Sequence, residues 1–448
     1  MPDPIGADEV RRVAEAALEI HGADDVEVLF MHSWGGLTRF ASSAIHQSTW
    51  SEDTDMRVRV VKDNRIGIAS ANGFTPEEAR GAAESAREIA SVAAPDPSFP
   101  GLAPPASIDG SDRFDGAAAS ASPEQRAEGV AEVVARCEGL EAAGAYETTA
   151  MEMAVANTQG QFAWAPWTQA ALSAVVKSPD GGNGFAETFS TELAGIDAGD
   201  VGERAARKAR SSDRPRDLEP GPYTVVLEPA AVSTLIGFMA FIGFGGRALL
   251  EGRSCLTGKH GERVAASDVT IYDDATSPET IGSPFDFEGV PRQRVELIRD
   301  GVFLDGVYDL RTGAQTGKPS TGHALPPPNP EGPFPLNLFL EPGDASLEEM
   351  IAATDRGVLV TRFHYSNVVH EVESTITGMT RDGTFAIRDG QIAHPVKNLR
   401  FTQSILEALA NTTMIGRETQ LASEFFFSAS RVPALRVEGF HFTGRSDH

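Results

Sequence analysis

The chain has 448 residues, with 38 Lys and Arg against 64 Asp and Glu, a formal charge of −26. That length suits about two or three domains with a sizeable core. A composition of 41 % hydrophobic and 23 % charged residues excludes a disordered or fibrous chain. The acidic balance speaks against a phosphate backbone or an anionic membrane surface, so neither nucleic acid nor membrane is expected as a partner. Cys137 and Cys255 are the only cysteines. They cannot form a disulfide framework and fit a reducing, cytoplasmic setting.

The opening MPDPIGADEV lacks a basic stretch followed by an apolar one, so a signal peptide is not expected. A helix is predicted over about Ala7 to Ile20, with Val10, Val13, Ala17 and Leu18 on one face. Strand-like stretches VEVLFMHSW, LTRFASSAIHQSTW, MRVRVV and RIGIAS follow, the last two joined across Lys62-Asp63-Asn64. Val58 and Val60 alternate with Arg57 and Arg59, the period of a sheet with one wet face. Thr75, Pro76 and Glu78 open a second helix as a capping box, and Ser122, Pro123 and Gln125 open a third. Between them lies the Pro-rich stretch PDPSFPGLAPP. Strands YETTAMEMAVAN and QFAWAPWTQAALSAVV then flank the turn at Gln159-Gly160, before a helix near Val201 to Arg210.

RPRDLEPGP marks the expected domain boundary, giving an N-terminal unit over 1–215 and a C-terminal unit over 216–448. The apolar run from Pro229 to Gly246 reads as a buried helix ending in a glycine-rich turn, being barely long enough to span a bilayer. The second half is strand-dominated. Asp300-Gly301 and Asp389-Gly390 stand between apolar runs as hairpin turns, and LPPPNPEGPFPLN forms a long Pro-rich loop. The fold class is α+β, with two units that each mix antiparallel hairpins with packed helices.

The ten histidines form no HExxH pair: His370-Glu371 has no second His at helical spacing and lies in a strand-like stretch. GRSCLTGKH resembles a phosphate loop, but five residues separate its glycines and His260 replaces the magnesium-binding hydroxyl. Gly243-Phe244-Gly245-Gly246 ends a helix, whereas a dinucleotide fingerprint starts one. Three weaker candidates remain. Cys255 with His260 pairs a nucleophile with a base, although no third orienting group is recognisable. His323, in Ser320-Thr321-Gly322-His323 before the polyproline loop, reads either as an imidazole exposed at a rim or as a structural His bonded to the loop backbone. His364 and His370 lie six apart on a strand, on one side of it, with Tyr365 on the other. About 20 Å apart at ~3.3 Å per residue, they cannot share one metal.

Residues 283–324, SPFDFEGVPRQRVELIRDGVFLDGVYDLRTGAQTGKPSTGHA, resemble the TldD/PmbA family, once called modulators of DNA gyrase. The segments 252–274, 357–369, 376–399 and 432–444 extend the resemblance, and MRVRVVKDNRIGIASANGFTPEEARGAAESAREIA resembles the family's first domain. The resemblance implies a peptidase family with two branches. The TldD branch carries an HExxxH zinc motif on the helix after the first strand of the second domain, plus a C-terminal Cys ligand. Here the motif's positions fall at Gly237, Phe238 and Ile242, and no Cys follows Cys255. The chain is therefore similar to the PmbA (TldE) branch. No metal and no cofactor are expected in it, and zinc is expected in a TldD-like partner. The implied role is that of a non-catalytic subunit of a peptidase acting on unfolded peptides. The alternatives are a stand-alone, metal-independent amide hydrolase and a homodimeric binding or scaffold protein.

Overall fold

The computed structural model describes residues 3–108, 113–422 and 428–445. Among them the strands assemble into two sheets. The first contains β1 (Asp25–Ala41), β2 (Ala44–Lys62), β3 (Arg65–Ala71), β4 (Glu141–Asn157), β5 (Phe162–Lys177) and β6 (Asn183–Ser190), in the order β3-β2-β1-β4-β5-β6. Every neighbouring pair is antiparallel. Five helices accompany it: α1 (Ala7–Leu18), α2 (Pro76–Val92), the short α3 (Gly116–Ala119), α4 (Pro123–Arg136) and α5 (Ala198–Ser211). The alanine-rich faces of α1 and α2 cover Val26, Val28, Val58 and Val60, while α4 and α5 cover Phe40, Tyr146 and Leu172. Small side chains on the helices let them lie close on a valine-rich sheet.

The caps predicted from sequence are present. Thr75 Oγ1 accepts from Glu78 N at 3.2 Å, and Ser122 and Gln125 bond reciprocally across the first turn of α4. Asp63-Asn64, Asp300-Gly301 and Asp389-Gly390 all take positive φ, as two-residue hairpin turns require.

Two expectations in this half are corrected. The stretches VEVLFMHSW and LTRFASSAIHQSTW are not separate strands: β1 runs straight through Gly35 and Gly36 and turns at Ser42-Ser43, where both residues take positive φ. The glycines are needed for packing, because a Cβ on Gly35 would meet the backbone of Thr148 and one on Gly36 the guanidinium of Arg126. Nor is the Arg57/Arg59 face wet. Arg59 is buried, and Arg57 donates to the carbonyl of Pro327 at 2.8 Å, because loops of the second half lie over that face.

The second sheet contains β7 (Gly221–Leu227), β8 (Ile271–Asp273), β9 (Val295–Arg299), β10 (Val302–Phe303), β11 (Asn337–Leu340), β12 (Arg356–His370), β13 (Thr375–Arg388), β14 (Gln391–Pro395), β15 (Leu399–Ser404), β16 (Thr412–Ala422) and β17 (Ala429–Arg445). Its main path is β10-β9-β8-β11-β17-β15-β13-β12-β7, and β17 also pairs with β7, so the last five strands close on themselves. The helix α6 (Pro229–Ile242) starts at Glu228 with Pro229 in its first turn and packs its apolar length into the largest core, with Leu235, Ile236 and Met239 fully buried. Then come α7 (Gly246–Leu250) and α8 (Leu310–Thr316). No helix among the described residues is long and apolar enough to cross a membrane.

The two sheets are tied by buried polar contacts. Arg113 donates to the carbonyls of Ala275, Ser277 and Gly282, and Gln161 Nε2 to Gly289 O at 2.5 Å.

Candidate functional site

A cleft of about 260 Å³ opens between the edge of the first sheet and α6 of the second half. Phe185 and Glu187 of β6 form one wall, Ala230, Thr234 and Phe238 of α6 the second, and Arg362 to Ser366 of β12 the third. The α6 residues recur at helical spacing, which aims one stripe of that otherwise buried helix at the cleft.

The cations at the cleft meet carboxylates, with Asp382 serving both Arg362 and, at 3.9 Å, Arg381. Arg362 Nε donates to Asp382 Oδ2 at 2.8 Å, and its guanidinium lies over the Phe185 ring at 3.9 Å. Lys208 pairs with Glu228 at the head of α6. The hydroxyls of Thr361 and Ser366 are buried without a hydrogen-bond partner. His364 lines the cleft half-buried; burial first, then the positive charges of Arg381 and Arg362, pull its pKa below the ordinary imidazole value. It is therefore a neutral imidazole at neutral pH, able to accept or donate one hydrogen bond.

The strand parity predicted for this stretch fails. Between His364 and Asn367 the β12–β13 register slips, and Tyr365 sits at φ 51° in the left-handed region. This bulge inserts an extra residue, so His364 and Tyr365 face the cleft together, with ring centroids 4.5 Å apart. His370 lies exposed, its Nδ1 accepting from Glu373 N at 3.2 Å.

The other two sequence candidates lie elsewhere. His323 is fully buried, the structural alternative rather than the exposed rim: its Nε2 meets Asp273 Oδ1 at 2.9 Å, and its Nδ1 meets the carbonyl and hydroxyl oxygens of Thr321 at 2.9 Å. Asp273 Oδ2 also accepts from Asn337 N at 2.7 Å, so this pair pins β8 and β11 to the 283–324 block. With both ring nitrogens engaged and no exposed surface, His323 has no access to a substrate. Cys255 is buried in the α6 core, and burial pushes its thiol up to about 12. It is a neutral thiol at neutral pH, not an activated nucleophile. His260 is exposed and packs against Phe303.

Comparison with known proteins identifies the lineage. Residues 220–444 match the PmbA/TldA metallopeptidase C-terminal domain, half of the chain, and residues 26–90 match PmbA/TldA metallopeptidase domain 1. The chain belongs to the PmbA/TldD family. Among relatives, the metalloprotease PmbA of Escherichia coli O157:H7 is 23 % identical over 96 % of each chain. A metalloprotease of Methanothermobacter thermautotrophicus is 29 % identical over 50 % of this chain and 48 % of its own. The chain thus spans about half the length of that relative and nearly all of the former. TldE from Thermococcus kodakarensis superposes with a TM-score of 0.87 at 21 % identity, covering 98 % of this chain and 99 % of its own. A Thermotoga maritima protein described as a putative modulator of DNA gyrase gives 0.85 at 20 %, covering 97 % and 99 %. These superpositions show the shared α+β fold.

The PmbA/TldD family implies a zinc ion on α6, and the residues here do not suit one. Gly237 and Ile242 are buried in the core and Phe238 faces the cleft; none of the three can ligate zinc. Among the described residues no group of three or more His, Cys, Asp or Glu stands together to hold a metal. No reaction step is assigned to a metal in this chain. The cleft offers an imidazole, hydroxyls and a paired arginine, groups able to bind and orient a ligand.

The cleft was not legible beforehand, since no spacing links residues near 185, 234 and 362. Only His364 hinted at it.

Proposed function

We propose that this chain is the metal-free PmbA/TldE-type subunit of a two-subunit cytoplasmic peptidase. Its zinc-bearing partner is a TldD-like chain, and its substrate class is unfolded peptide. The observation that carries this reading is α6 itself: Gly237, Phe238 and Ile242 fall where the family motif would supply ligands and a general base, and the stripe facing the cleft, Ala230, Thr234 and Phe238, supplies neither. A metallopeptidase needs a bound metal to lower the pKa of its water and a carboxylate to take the proton. A subunit without them contributes wall and shape. The uncharged stripe and the engagement of Arg362 and Lys208 by carboxylates suit a surface that contacts many peptide sequences without selecting one charge.

Mixing the purified chain with a TldD-like protein and an unfolded casein tests the reading. Cleavage is expected only in the mixture, is abolished by chelator, and accompanies a complex burying well over ~1,200 Å². Chelator-resistant cleavage by this chain alone would establish a stand-alone hydrolase. A stable homodimer that ignores every TldD-like protein would establish a scaffold.

A further inference from the structure

A second concave region, larger than the cleft, shares no lining residue with it. It is a cavity of about 700 Å³ between the β2–β3 hairpin, the Pro-rich stretch near Pro100, α7, α8 and the loop carrying Pro327 to Pro330. Its walls are apolar where Ile66, Ile68, Phe99 and the prolines stand, and charged at one end.

The charges at that end are unequally matched. Arg59 lines the cavity and lies between two carboxylates, its Nε 3.5 Å from Glu27 Oε1 and its Nη1 3.7 Å from Glu288 Oε1. Both distances exceed those of good charge-assisted hydrogen bonds. Glu27, on β1, is 1 % exposed and neither of its oxygens has a hydrogen-bond partner. Glu288 lines the cavity and is 9 % exposed; its Oε2 accepts from Leu310 N at 3.1 Å, while its Oε1 has only the long contact to Arg59.

The neighbouring charges offer no relief. Asp286 spends its oxygens on the backbone N–H groups of Glu288, Val290 and Ala324, and Asp309 caps α8 through Thr312. Arg292 is buried beside Asp273 and Asp286. At the rim, Arg311 is held by Asp96 at 2.7 Å and Arg247 by Glu251 at 2.8 Å. One guanidinium thus serves two buried carboxylates, and the cavity leads to one of them.

We propose that this cavity binds a primary ammonium group, borne by the amino terminus of a peptide or by a free amine, with Glu288 as its counter-ion. The missing positive charge calls for a cation. Among the described residues no three ligating side chains cluster, and Arg59 stands beside Glu288, so the cation is organic rather than metallic. The proline-and-isoleucine walls suit the carbon frame that carries it. Burial pushes the Glu288 carboxyl up to about 8, so an arriving ammonium displaces a proton from it. The site does not depend on the subunit reading proposed above.

Calorimetric titration of the full chain tests the proposal with four probes: a tetrapeptide with a free amino terminus, its N-acetylated twin, spermidine and inorganic phosphate. Binding by the free tetrapeptide but not spermidine would identify a peptide terminus, and the reverse a free amine; the N-acetylated twin and phosphate are expected not to bind. Affinity should weaken about tenfold from pH 7 to pH 6, as the proton competes for Glu288. Glu288→Gln should abolish binding. Gln315→Trp, an exposed change at the cavity wall that leaves the buried carboxylates untouched, should block it as well. Equal binding of the acetylated peptide, binding of phosphate, no binding of either amine, or undiminished binding by both variants would overturn it.

Discussion

The cleft over α6 and the cavity beneath the Pro-rich loop both lie where the two halves meet, yet they treat charge in opposite ways. In the cleft Arg362 is bonded to Asp382 and Lys208 to Glu228, and the exposed Arg381 reaches Asp382 only at 3.9 Å. In the cavity Arg59 is divided between Glu27 and Glu288. A closed pair leaves a surface that is indifferent to charge, while an unequal one leaves free energy that a proton or a ligand can release. The helix α6 is core on one side and wall of the cleft on the other, and it carries no charge of its own.

The sharpest way to break the comparison is to remove the shared cation. Arg59→Met leaves two buried carboxylates uncompensated and should cost about 3–5 kcal/mol in urea unfolding at pH 7.5, well above Arg362→Met in the partly exposed pair. Equal losses at the two sites would contradict the distinction.

His323→Ala should cost about 2–4 kcal/mol by the same measurement, since it opens a void and leaves an Asp273 oxygen without its partner. A much smaller loss would mean that the 283–324 block is not held by this pair.

Within α6, Gly237→His should lose about 1–3 kcal/mol, because the ring enters packed core, whereas Phe238→His at the cleft face should lose less. The reverse order would move the cleft to another face of the helix.

Acid and base should act differently on the two regions. Glu288 is pushed from 4.5 up to about 8, and Glu27 also upward, in both cases chiefly by burial. The folded chain therefore keeps protons that the unfolded chain has released. That contribution to stability is fully present below about pH 4.5 and is lost as pH rises through about 8. The melting temperature should accordingly fall between about pH 5 and 8, and Glu288→Gln should flatten the slope. An unchanged slope would mean that Glu288 is ionised in the folded chain. Asp96, held down to about 2 chiefly by its bond from Arg311, works the other way and loses its contribution only as pH falls toward that value.

Much of the architecture could be read from local chemistry. The capping residues at Thr75 and Ser122, the Asp-Gly hairpins and the uniformly apolar α6 each announce their element within a few residues. What escaped the sequence depends on contacts between distant segments. The stretches on either side of Gly35-Gly36 read as separate strands until the Thr148 backbone and Arg126 are seen against the two glycines. His323 reads as either exposed or structural until Asp273, fifty positions earlier, is placed beside it. Arg59 reads as solvent-facing until Glu288 arrives from the second half. One clue was present: Glu27 sits between Val26 and Val28 in an otherwise apolar run, and a carboxylate in such a strand needs a buried partner. The bulge that turns His364 and Tyr365 toward the same cleft has no sequence signal we can identify.

The central claim is that this chain supplies shape while a TldD-like partner supplies the metal. Elemental analysis of the purified chain after gel filtration, with zinc counted per polypeptide, tests it most directly. The account predicts far less than one zinc per chain, unchanged by Phe238→Ala. About one zinc per chain, retained through gel filtration, would contradict it.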